Sequence, residues 1–398
     1  MIFLQQNDII ENLNEEQKKA VCHKEGPLLV LAGAGSGKTR VLTRRVAYLI
    51  KEYGVWPRNI LGVTFTNKAA DEMKERVAVL LNDLPAEPWI STFHSLCVQI
   101  LAREIEKLGY KKNYVIFDSS DQKKLMKNVL SEMNIDIKKT KPRAVLHEIG
   151  QAKNELIDPD DYKKNEVNNY FSELVSKIYP VYQQKLKENN ALDFDDLIMK
   201  TVYLFAEYPA VLEYYQQQFK YILIDEYQDV NFAQYQMVQL LARKHRNLCV
   251  VGDPDQGIYG FRGADIRNIM NFEDDYPESR VIKLEQNYRS KETILKAAQK
   301  VIQNNEFRKE KELWTAKGKG DKINYYVASS EKDEAHYICK KIKELKNKKY
   351  NYSDFAVLYR TNAQSRPLEE MMIKFGIPYQ IVGGHRFYDR MEIRDILG

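Results

Sequence analysis

Short apolar runs alternate with amphipathic stretches along most of the chain. The runs lie at residues 28–32, 60–66, 89–92, 221–224, 248–252 and 281–284. After the first run, apolar residues recur with helical spacing at Val41, Leu42, Val46 and Leu49. A run without polar alternation indicates a strand that is buried on both faces. The pattern therefore predicts an α/β fold built on an open sheet.

Residues 117–188 carry a different pattern. They are rich in lysine, their apolar residues recur with helical spacing, and they contain no strand-like run. We therefore expect a helical insertion into the first α/β domain. The basic cluster at residues 138–143 is either a solvated surface or a contact for DNA phosphates.

A second strand-rich segment follows residue 285. Strands are expected at residues 323–328, 354–360 and 378–382, with helices around 334–345 and 366–375. This segment resembles the start of a second α/β domain. The expected division is a first domain in two segments, a helical insertion between them and a second domain, at residues 1–107 with 191–285, 108–190 and 286–398.

The amino-acid composition indicates the class of protein but does not identify a binding partner. The 398 residues are 44% hydrophobic and 29% charged, which is typical of a soluble globular protein. No apolar run approaches the length of a membrane span, and the four scattered cysteines fit a reducing compartment. We expect a cytoplasmic protein with no membrane partner. The net charge of +5 permits a polyanionic partner but does not prove one.

The first apolar run leads into a glycine-rich turn that ends in Lys38 and Thr39. In a strand, loop and helix of this kind, backbone N–H groups and the helix N-terminus face a triphosphate. Lys38 would reach the outer phosphates of ATP, and the Thr39 hydroxyl would ligate Mg²⁺. Ala32 replaces the usual first glycine, which is tolerable if that position needs no positive φ. The flanking strand and helix disfavour the alternative, a turn that holds no ligand.

The run at residues 221–224 ends in two adjacent carboxylates, Asp225 and Glu226. Asp225 is predicted to hold Mg²⁺ through its water shell, and Glu226 to polarise the attacking water. A plain surface turn is the alternative. The presence of Lys38 and Thr39 in the same chain favours the catalytic interpretation.

Three further side chains suit the nucleotide. Gln17 either completes a helix capping box with Asn14 or reads the adenine edge, since its amide both donates and accepts. Tyr288 can stack on adenine. Arg289 can reach the γ-phosphate as an arginine finger from the same chain.

Aromatic and polar residues at successive strand ends suit unpaired bases. Ligands of an open α/β sheet lie at the carboxyl ends of its strands, where Phe65 and His94 fall. The loop after residue 252 places Gln256, a candidate sensor of the γ-phosphate, beside Tyr259 and Phe261. Stacking is worth about 1–3 kcal/mol per base. Each residue alone also fits a structural role, so the hypothesis rests on their repetition.

The order of these motifs resembles the UvrD/Rep/PcrA superfamily 1 DNA helicases. The matching segments are AGAGSGKT (32–39), TFTNKAA (64–70), STFHS (91–95), DFDDL (193–197), DEYQD (225–229), GDPDQGIYGFRGA (252–264), LEQNYRS (284–290), VLYRTNAQSR (357–366) and the region 383–394. The resemblance covers essentially the whole chain. It implies a RecA-like P-loop domain, the first part of a second RecA-like domain, ATP clamped between the two, and movement from 3′ to 5′ on single-stranded DNA.

The resemblance also implies roles for individual residues. Nucleotide contacts would come from Gln17, Ala32, Gly33, Ala34, Gly35, Ser36, Gly37, Lys38, Thr39, Arg40, Tyr288 and Arg289. Catalysis would depend on Lys38, Glu226, Gln256 and Arg289, and Mg²⁺ binding on Thr39 and Asp225. DNA contacts would come from Phe65, Thr66, Asn67, Thr92, His94, Phe194, Tyr259, Phe261, Arg262 and Arg360.

The chain departs from the family pattern at three places. Many relatives carry serine at Gly257 and tryptophan at Phe261, so this chain has a looser turn and a weaker stacking platform. The later motifs of the family are not found before Gly398. We therefore expect the N-terminal portion of a longer helicase.

Three functional hypotheses follow. The chain belongs to an ATP-dependent 3′–5′ helicase acting at single-strand/duplex junctions, or it only binds ATP and single-stranded DNA with little hydrolysis or unwinding. The third class is a P-loop enzyme acting on a small molecule, such as a kinase. Stimulation of nucleotide turnover by single-stranded DNA in the longer protein separates the first class from the third.

Overall fold

The computed structural model describes residues 9–81, 86–165, 167–305, 308–348 and 350–382. These residues form two compact units, Met1–Asp321 and Lys322–Gly398. The strands are β1 Leu28–Ala32, β2 Ile60–Thr64, β3 Trp89–Thr92, β4 Val115–Ile116, β5 Ala191–Leu192, β6 Tyr221–Ile224, β7 Leu248–Gly252 and β8 Arg280–Leu284. All six apolar runs are therefore confirmed as strands.

Sixteen α-helices lie in the described part of the chain. They are α1 Glu15–Cys22, α2 Lys38–Lys51, α3 Asn67–Leu81, α4 Phe93–Glu104, α5 Ser119–Glu132, α6 Pro142–Asn154, α7 Pro159–Asn165, α8 Tyr170–Glu188, α9 Phe194–Glu207, α10 Pro209–Gln218, α11 Phe232–Ala242, α12 Arg267–Met270, α13 Phe272–Asp275, α14 Glu292–Ile302, α15 Glu331–Lys346 and α16 Ser365–Lys374.

The first unit is organised around a six-stranded parallel sheet in the order β3-β2-β6-β7-β1-β8. Alternate residues of β1 face opposite sides of this sheet. Leu29 and Leu31 join the apolar cluster that contains α4, α9 and α11, whereas Leu28 and Val30 join the one that contains α2 and α3. Helices thus cover both faces, which explains why the strands read as unbroken apolar runs.

Helices α5 to α8 lie in the stretch with helical spacing and share an apolar cluster of their own. Strands β4 and β5, which precede and follow these helices in the sequence, form a two-stranded parallel pair. No strand lies between residues 117 and 188 in the described part of the insertion. The chain therefore enters and leaves this bundle at one place, next to the paired strands and between α4 and α9.

The boundary between the units lies later in the chain than the expected domain boundary at residue 286. Residues 286–321 belong to the first unit, together with β8 and α14. Asn287 and Tyr288 make hydrogen bonds to the loop after β1, which accounts for this placement.

The three strands predicted at residues 323–328, 354–360 and 378–382 are wrong. No strand occurs among the described residues of the second unit, whereas its two predicted helices are confirmed as α15 and α16. Phe355, Val357 and Tyr379 pack on the apolar cluster of these helices, which produces an alternating pattern without strand pairing. A strand also needs a hydrogen-bonded neighbour, and none pairs here. The expected match at residues 383–394 lies outside the described residues.

Candidate functional site

The loop between β1 and α2 has the backbone that phosphate binding requires. Gly35 and Gly37 have φ of 69° and 91°, and Gly37 caps the N-terminus of α2. Ala32 ends β1 and is not among the residues with positive φ. The replacement of the usual first glycine at this position therefore costs no backbone strain. The loop's amides lie at a helix N-terminus, where an anion is favoured.

Gln17 is fully buried, and its side chain makes hydrogen bonds within the protein. Its Oε1 accepts from the Asn14 amide (3.2 Å), and Asn14 Oδ1 accepts from the Gln17 amide (2.8 Å), so the predicted capping box is present. Its Nε2 donates to the carbonyl of Ser36 in the phosphate loop (2.9 Å). Gln17 therefore links α1 to this loop, and an adenine contact would share its amide with these partners.

The segment after β8 lies against the phosphate loop. Asn287 Nδ2 donates to the Ala34 carbonyl (2.6 Å), and the Tyr288 amide donates to the Gly35 carbonyl (2.9 Å). The Tyr288 hydroxyl accepts from Asn14 Nδ2 (2.9 Å), which brings Tyr288 beside α1. Arg289 is exposed and its amide is held by Asn287 Oδ1 (2.9 Å). The predicted adenine and γ-phosphate residues thus lie around one loop.

The two carboxylates after β6 meet the lysine of this loop. Lys38 Nζ lies 2.7 Å from Glu226 Oε2, and the lysine side chain is only 12% exposed. Glu226 has a φ of 50°, a left-handed conformation that side chains adopt at a cost. Burial raises the pKa of Asp225 to about 6; the neighbouring Glu226 adds to this rise and Lys38 opposes it. A charged Asp225 therefore needs a cation nearby.

The residues present fit Mg²⁺. Asp225 is buried and accepts a hydrogen bond from the Glu226 amide (3.0 Å). A divalent cation would stabilise its ionised form, and Thr39 at the start of α2 offers a hydroxyl. No group of three or more histidine, cysteine or acidic residues in the described ranges could hold a metal alone. The ion would therefore depend on phosphates and water for its remaining ligands.

Gln228 connects the carboxylates to the loop after β7. Its Nε2 donates to Glu226 Oε2 (2.9 Å), and its Oε1 accepts from the Asp253 amide (2.9 Å). Gln256, the predicted coupling residue, donates from Nε2 to Asp253 Oδ2. Sequence reasoning assigned no role to Gln228 or Asp253. A buried amide next to two acids was the available signal, but its partners depend on the tertiary fold.

The aromatic residues of the same loop lie in an open groove. The rings of Phe65 and Tyr259 have centroids 4.7 Å apart, and Phe261 lies 6.1 Å from Tyr259 and is 60% exposed. The Arg262 guanidinium lies over both rings of the loop, 5.4 Å from Tyr259 and 5.6 Å from Phe261. The groove encloses about 270 Å³ and also contacts His94. Bases could stack on these rings, which are not sealed in the core.

A second aromatic pair continues the groove. His94 and Phe194 have centroids 5.9 Å apart, and Phe194 is 47% exposed. Burial lowers the pKa of His94, so its ring is neutral at neutral pH and suits a base better than a phosphate. Thr92 caps α4 through Ser95, and its hydroxyl lies 3.4 Å from Asn67 Oδ1.

The remaining predicted residues lie further from the groove or have local partners. Thr66 is exposed just before α3 and accepts from the Ala69 amide (3.2 Å). Arg40 donates to the Asn12 carbonyl (2.9 Å), beside the phosphate loop. Arg360 is exposed in the second unit, so it is described apart from the groove.

Helix α6 of the insertion forms a wall of the groove that the sequence did not predict. Its residues Gly150, Gln151 and Asn154 line the groove opposite the aromatic loop. Asn154 Oδ1 accepts from Asn231 Nδ2 (2.7 Å), which joins the insertion to the segment before α11. The insertion therefore contributes polar groups to the surface where bases would bind.

Comparisons with known proteins identify two matching family models and several relatives. Residues 13–277 match the UvrD/REP helicase N-terminal domain, and residues 282–398 match the UvrD-like helicase C-terminal domain. The chain is 56% identical over 391 residues to proteins named ATP-dependent DNA helicase PcrA from Staphylococcus epidermidis and Staphylococcus aureus. The match covers 98% of this chain and 54% and 53% of those relatives, so the chain spans about half of their length. The chain belongs to the UvrD/REP helicase family.

Proposed function

We propose that this chain is part of an ATP-dependent translocase that moves 3′ to 5′ on single-stranded DNA and unwinds duplexes at single-strand/duplex junctions. One observation carries the proposal. Gln256, Tyr259 and Phe261 share a short loop that is hydrogen-bonded through Asp253 and Gln228 to Glu226 and ends in the open aromatic groove. A change at the γ-phosphate would therefore alter the grip on bases.

The nucleotide chemistry divides among residues of the first unit. Lys38 and Arg289 neutralise the outer phosphates, and Glu226 orients and polarises the attacking water. Thr39 and Asp225 would hold Mg²⁺, which would supply charge stabilisation to the phosphoryl group. The 2.7 Å ion pair between Lys38 and Glu226 supports this division, because both groups face one point. Tyr288 and Gln17 would fix the adenine end.

The bases would occupy the groove between the aromatic loop and α6. Stacking on Phe65, Tyr259 and Phe261 tolerates any sequence, because every base has a flat π face. Arg262 over the two loop rings adds positive charge for the backbone of the strand. Phe194 beside His94 would receive a further base. Four unpaired cysteines support a reducing, cytoplasmic setting for this activity.

The test measures the coupling between the two sites in the 398-residue chain. Fluorescence anisotropy gives the affinity for a labelled oligothymidylate of about 16 nucleotides, a length that covers several stacking sites. The affinity is measured with and without a non-hydrolysable ATP analogue and Mg²⁺. We expect a change of about fivefold or more, within the usual range of coupling between two sites.

Linkage provides the internal control, because the oligonucleotide must change the affinity for the analogue by the same factor. Analogue binding without any oligonucleotide binding would contradict the proposal and favour a P-loop enzyme that acts on a small molecule. Independent binding of the two ligands would contradict the coupling role of the shared loop.

A further inference from the structure

A segment that no motif covers passes close to the phosphate loop and to the start of the loop after β7. Residues 308–320, here called the strap, follow α14 and remain in the first unit. Leu313 of the strap lies so close to Gly33 that a Cβ on that glycine would lie 2.8 Å or less from both terminal carbons of Leu313. The Trp314 carbonyl accepts from the Asn287 amide (2.7 Å). The strap therefore packs against the phosphate loop and its neighbours.

Lys311 of the strap is a buried cation between two buried carboxylates. Its side chain is 5% exposed, and its Nζ pairs with Asp253 and, at 2.8 Å, with Asp255. The two acid side chains are 3% and 5% exposed. Among the described residues, Lys311 is the only cation that forms an ion pair with Asp253 or Asp255. It neutralises one of two negative charges at the start of the loop that carries Gln256.

The carboxylate of Asp253 accepts hydrogen bonds from both Lys311 and Gln256. Its Oδ1 accepts from Lys311 and from the Asp255 amide (3.0 Å), while its Oδ2 accepts from Gln256 Nε2. The Asp253 amide donates to Gln228 Oε1, and Gln228 Nε2 donates to Glu226, as described above. A continuous set of polar contacts thus runs from the strap to the proposed catalytic base.

We infer that Lys311 is a positioning residue for nucleotide coupling: it fixes Asp253, and Asp253 in turn orients the Gln256 side chain. This inference rests on the proposed function, in which Gln256 links the nucleotide to the aromatic groove. Removing one partner of a buried ion pair leaves an uncompensated charge, which the surrounding structure relieves by moving. Without Lys311 the carboxylate of Asp253 draws in water or protons, and Gln256 loses its defined orientation.

The first test replaces Lys311 by methionine, which keeps the length and removes the charge. The readout is the ratio of oligothymidylate affinities with and without the ATP analogue. We expect Lys311→Met to reduce this ratio by about fivefold, while affinity for the analogue changes by less than about twofold. Lys309→Met is the matched control, because Lys309 lies on the same strap and pairs with the half-exposed Glu273. An unchanged ratio in Lys311→Met overturns the inference.

A double-mutant cycle with Gln256→Ala distinguishes positioning from a general structural role. If Lys311 acts through Gln256, Lys311→Met has no further effect on the ratio once Gln256 is alanine. An equal loss from Lys311→Met in both backgrounds overturns the inference alone. A normal ratio in Gln256→Ala itself overturns the proposed role of Gln256 and the inference with it, so the two failures are distinguishable.

A further pair of variants covers the case in which Lys311→Met does not fold. Lys311→Met combined with Asp255→Asn removes one charge of each sign and keeps the same net charge in the cluster. This double variant should fold and still show the reduced ratio, because Asp253 remains without its cation. Asp255→Asn alone keeps Lys311 on Asp253 and should leave the ratio within about twofold of the parent chain. A normal ratio in the folded double variant overturns the inference.

Discussion

At the residue scale, the backbone of Glu226 is the feature that bears most directly on the proposed chemistry. A left-handed conformation at a residue other than glycine costs about 1–3 kcal/mol and persists only where the surroundings fix it. Here Lys38 and Gln228 both bond Glu226 Oε2, at 2.7 Å and 2.9 Å. These bonds aim the carboxylate at the phosphate loop rather than into solvent.

Glu226→Gln tests the role of this carboxylate as the base. The amide keeps the size of the side chain but cannot accept a proton, so single-turnover hydrolysis of ATP should fall by about 10²–10⁴-fold. ATP should still bind, because the phosphate loop and Lys38 are unchanged. Radiolabelled ATP trapped on the protein and the rate of phosphate release measure the two effects. Normal hydrolysis in this variant would remove Glu226 from the mechanism.

Asp225 makes the stability of the protein depend on pH. Because burial raises its folded pKa to about 6 from the ordinary 3.8, the charged form destabilises the folded state. This cost is present above about pH 6 and disappears as the pH falls towards about 4. Asp225→Asn should therefore melt at a higher temperature than the parent chain at pH 7.5 and at a similar one near pH 4.

Asp265 provides the control, because its substitution should change the melting temperature at neutral pH in the opposite direction. Hydrogen bonding to Arg267 lowers the pKa of Asp265, so its charged form stabilises the fold above its ordinary pKa. Asp265→Asn should lower the melting temperature at neutral pH, and the loss should shrink in acid. A difference between Asp225→Asn and the parent chain that stays constant with pH would contradict the prediction.

At the scale of the element, two glycines of the loop after β7 meet different backbone requirements. Gly257 has a φ of −64°, and a Cβ there would meet its nearest neighbour at 3.7 Å. The serine of many relatives would therefore fit without strain. Gly263 is different, since its φ of 82° requires a left-handed backbone just before the segment that meets α11.

Phe261 tests whether the loop grips bases by stacking. Its ring is 60% exposed, so Phe261→Ala should remove stacking without disturbing the core. The loss of about 1–3 kcal/mol should weaken oligothymidylate binding roughly five- to a hundredfold, and Phe261→Trp should strengthen it. Ile258→Ala is the matched control, because Ile258 is 71% exposed on the same loop but has no ring. Equal losses in both alanine variants would argue against stacking.

A second buried ion cluster joins the insertion to α9. Lys153 of α6 is fully buried and lies 2.7 Å from Asp193 and 3.0 Å from Asp196, at the start of α9. Tyr182 of α8 also donates to Asp193 (3.1 Å). Three helices therefore meet at one polar point that lies next to Phe194.

Lys153→Met should destabilise the first unit strongly. Two buried carboxylates would lose their cation, a change that costs about 3–5 kcal/mol in comparable buried pairs. Lys177→Met on α8 is the control, since its pair with Glu173 is exposed and solvent screening leaves it little effect on stability. Urea unfolding followed by circular dichroism measures both. A loss in Lys153→Met no larger than in the control would show that packing alone holds the insertion.

At the scale of the whole molecule, strands that are buried on both faces could be predicted from the sequence. Strand pairing and ion pairs between residues distant in sequence could not. The strands of the sheet are apolar throughout because both faces are covered, so their runs were readable. The alternating segments of the second unit had the same appearance as strands but pack on α15 and α16 instead. Lys311 and Asp253 are far apart in sequence, and no periodicity could have joined them.

The share of the PcrA relatives that this chain matches leads to the last prediction. The chain matches about half of its PcrA relatives, and its first unit contains the phosphate loop, both carboxylates and the aromatic groove. Binding of ATP and single-stranded DNA should therefore be present in the 398-residue chain. The family resemblance implies a further γ-phosphate arginine beyond Arg289 for rapid turnover, and one arginine finger is worth about 10³–10⁵ in rate. We expect binding without unwinding.

A strand-displacement assay on a duplex with a 3′ single-stranded tail tests this expectation. The 398-residue chain should bind the tail and release no labelled strand with ATP and Mg²⁺. Full-length PcrA from Staphylococcus aureus, to which the chain is 56% identical, is the positive control in the same buffer. Robust displacement by the purified chain would contradict the prediction, because the residues of this half would then suffice to convert ATP hydrolysis into strand separation.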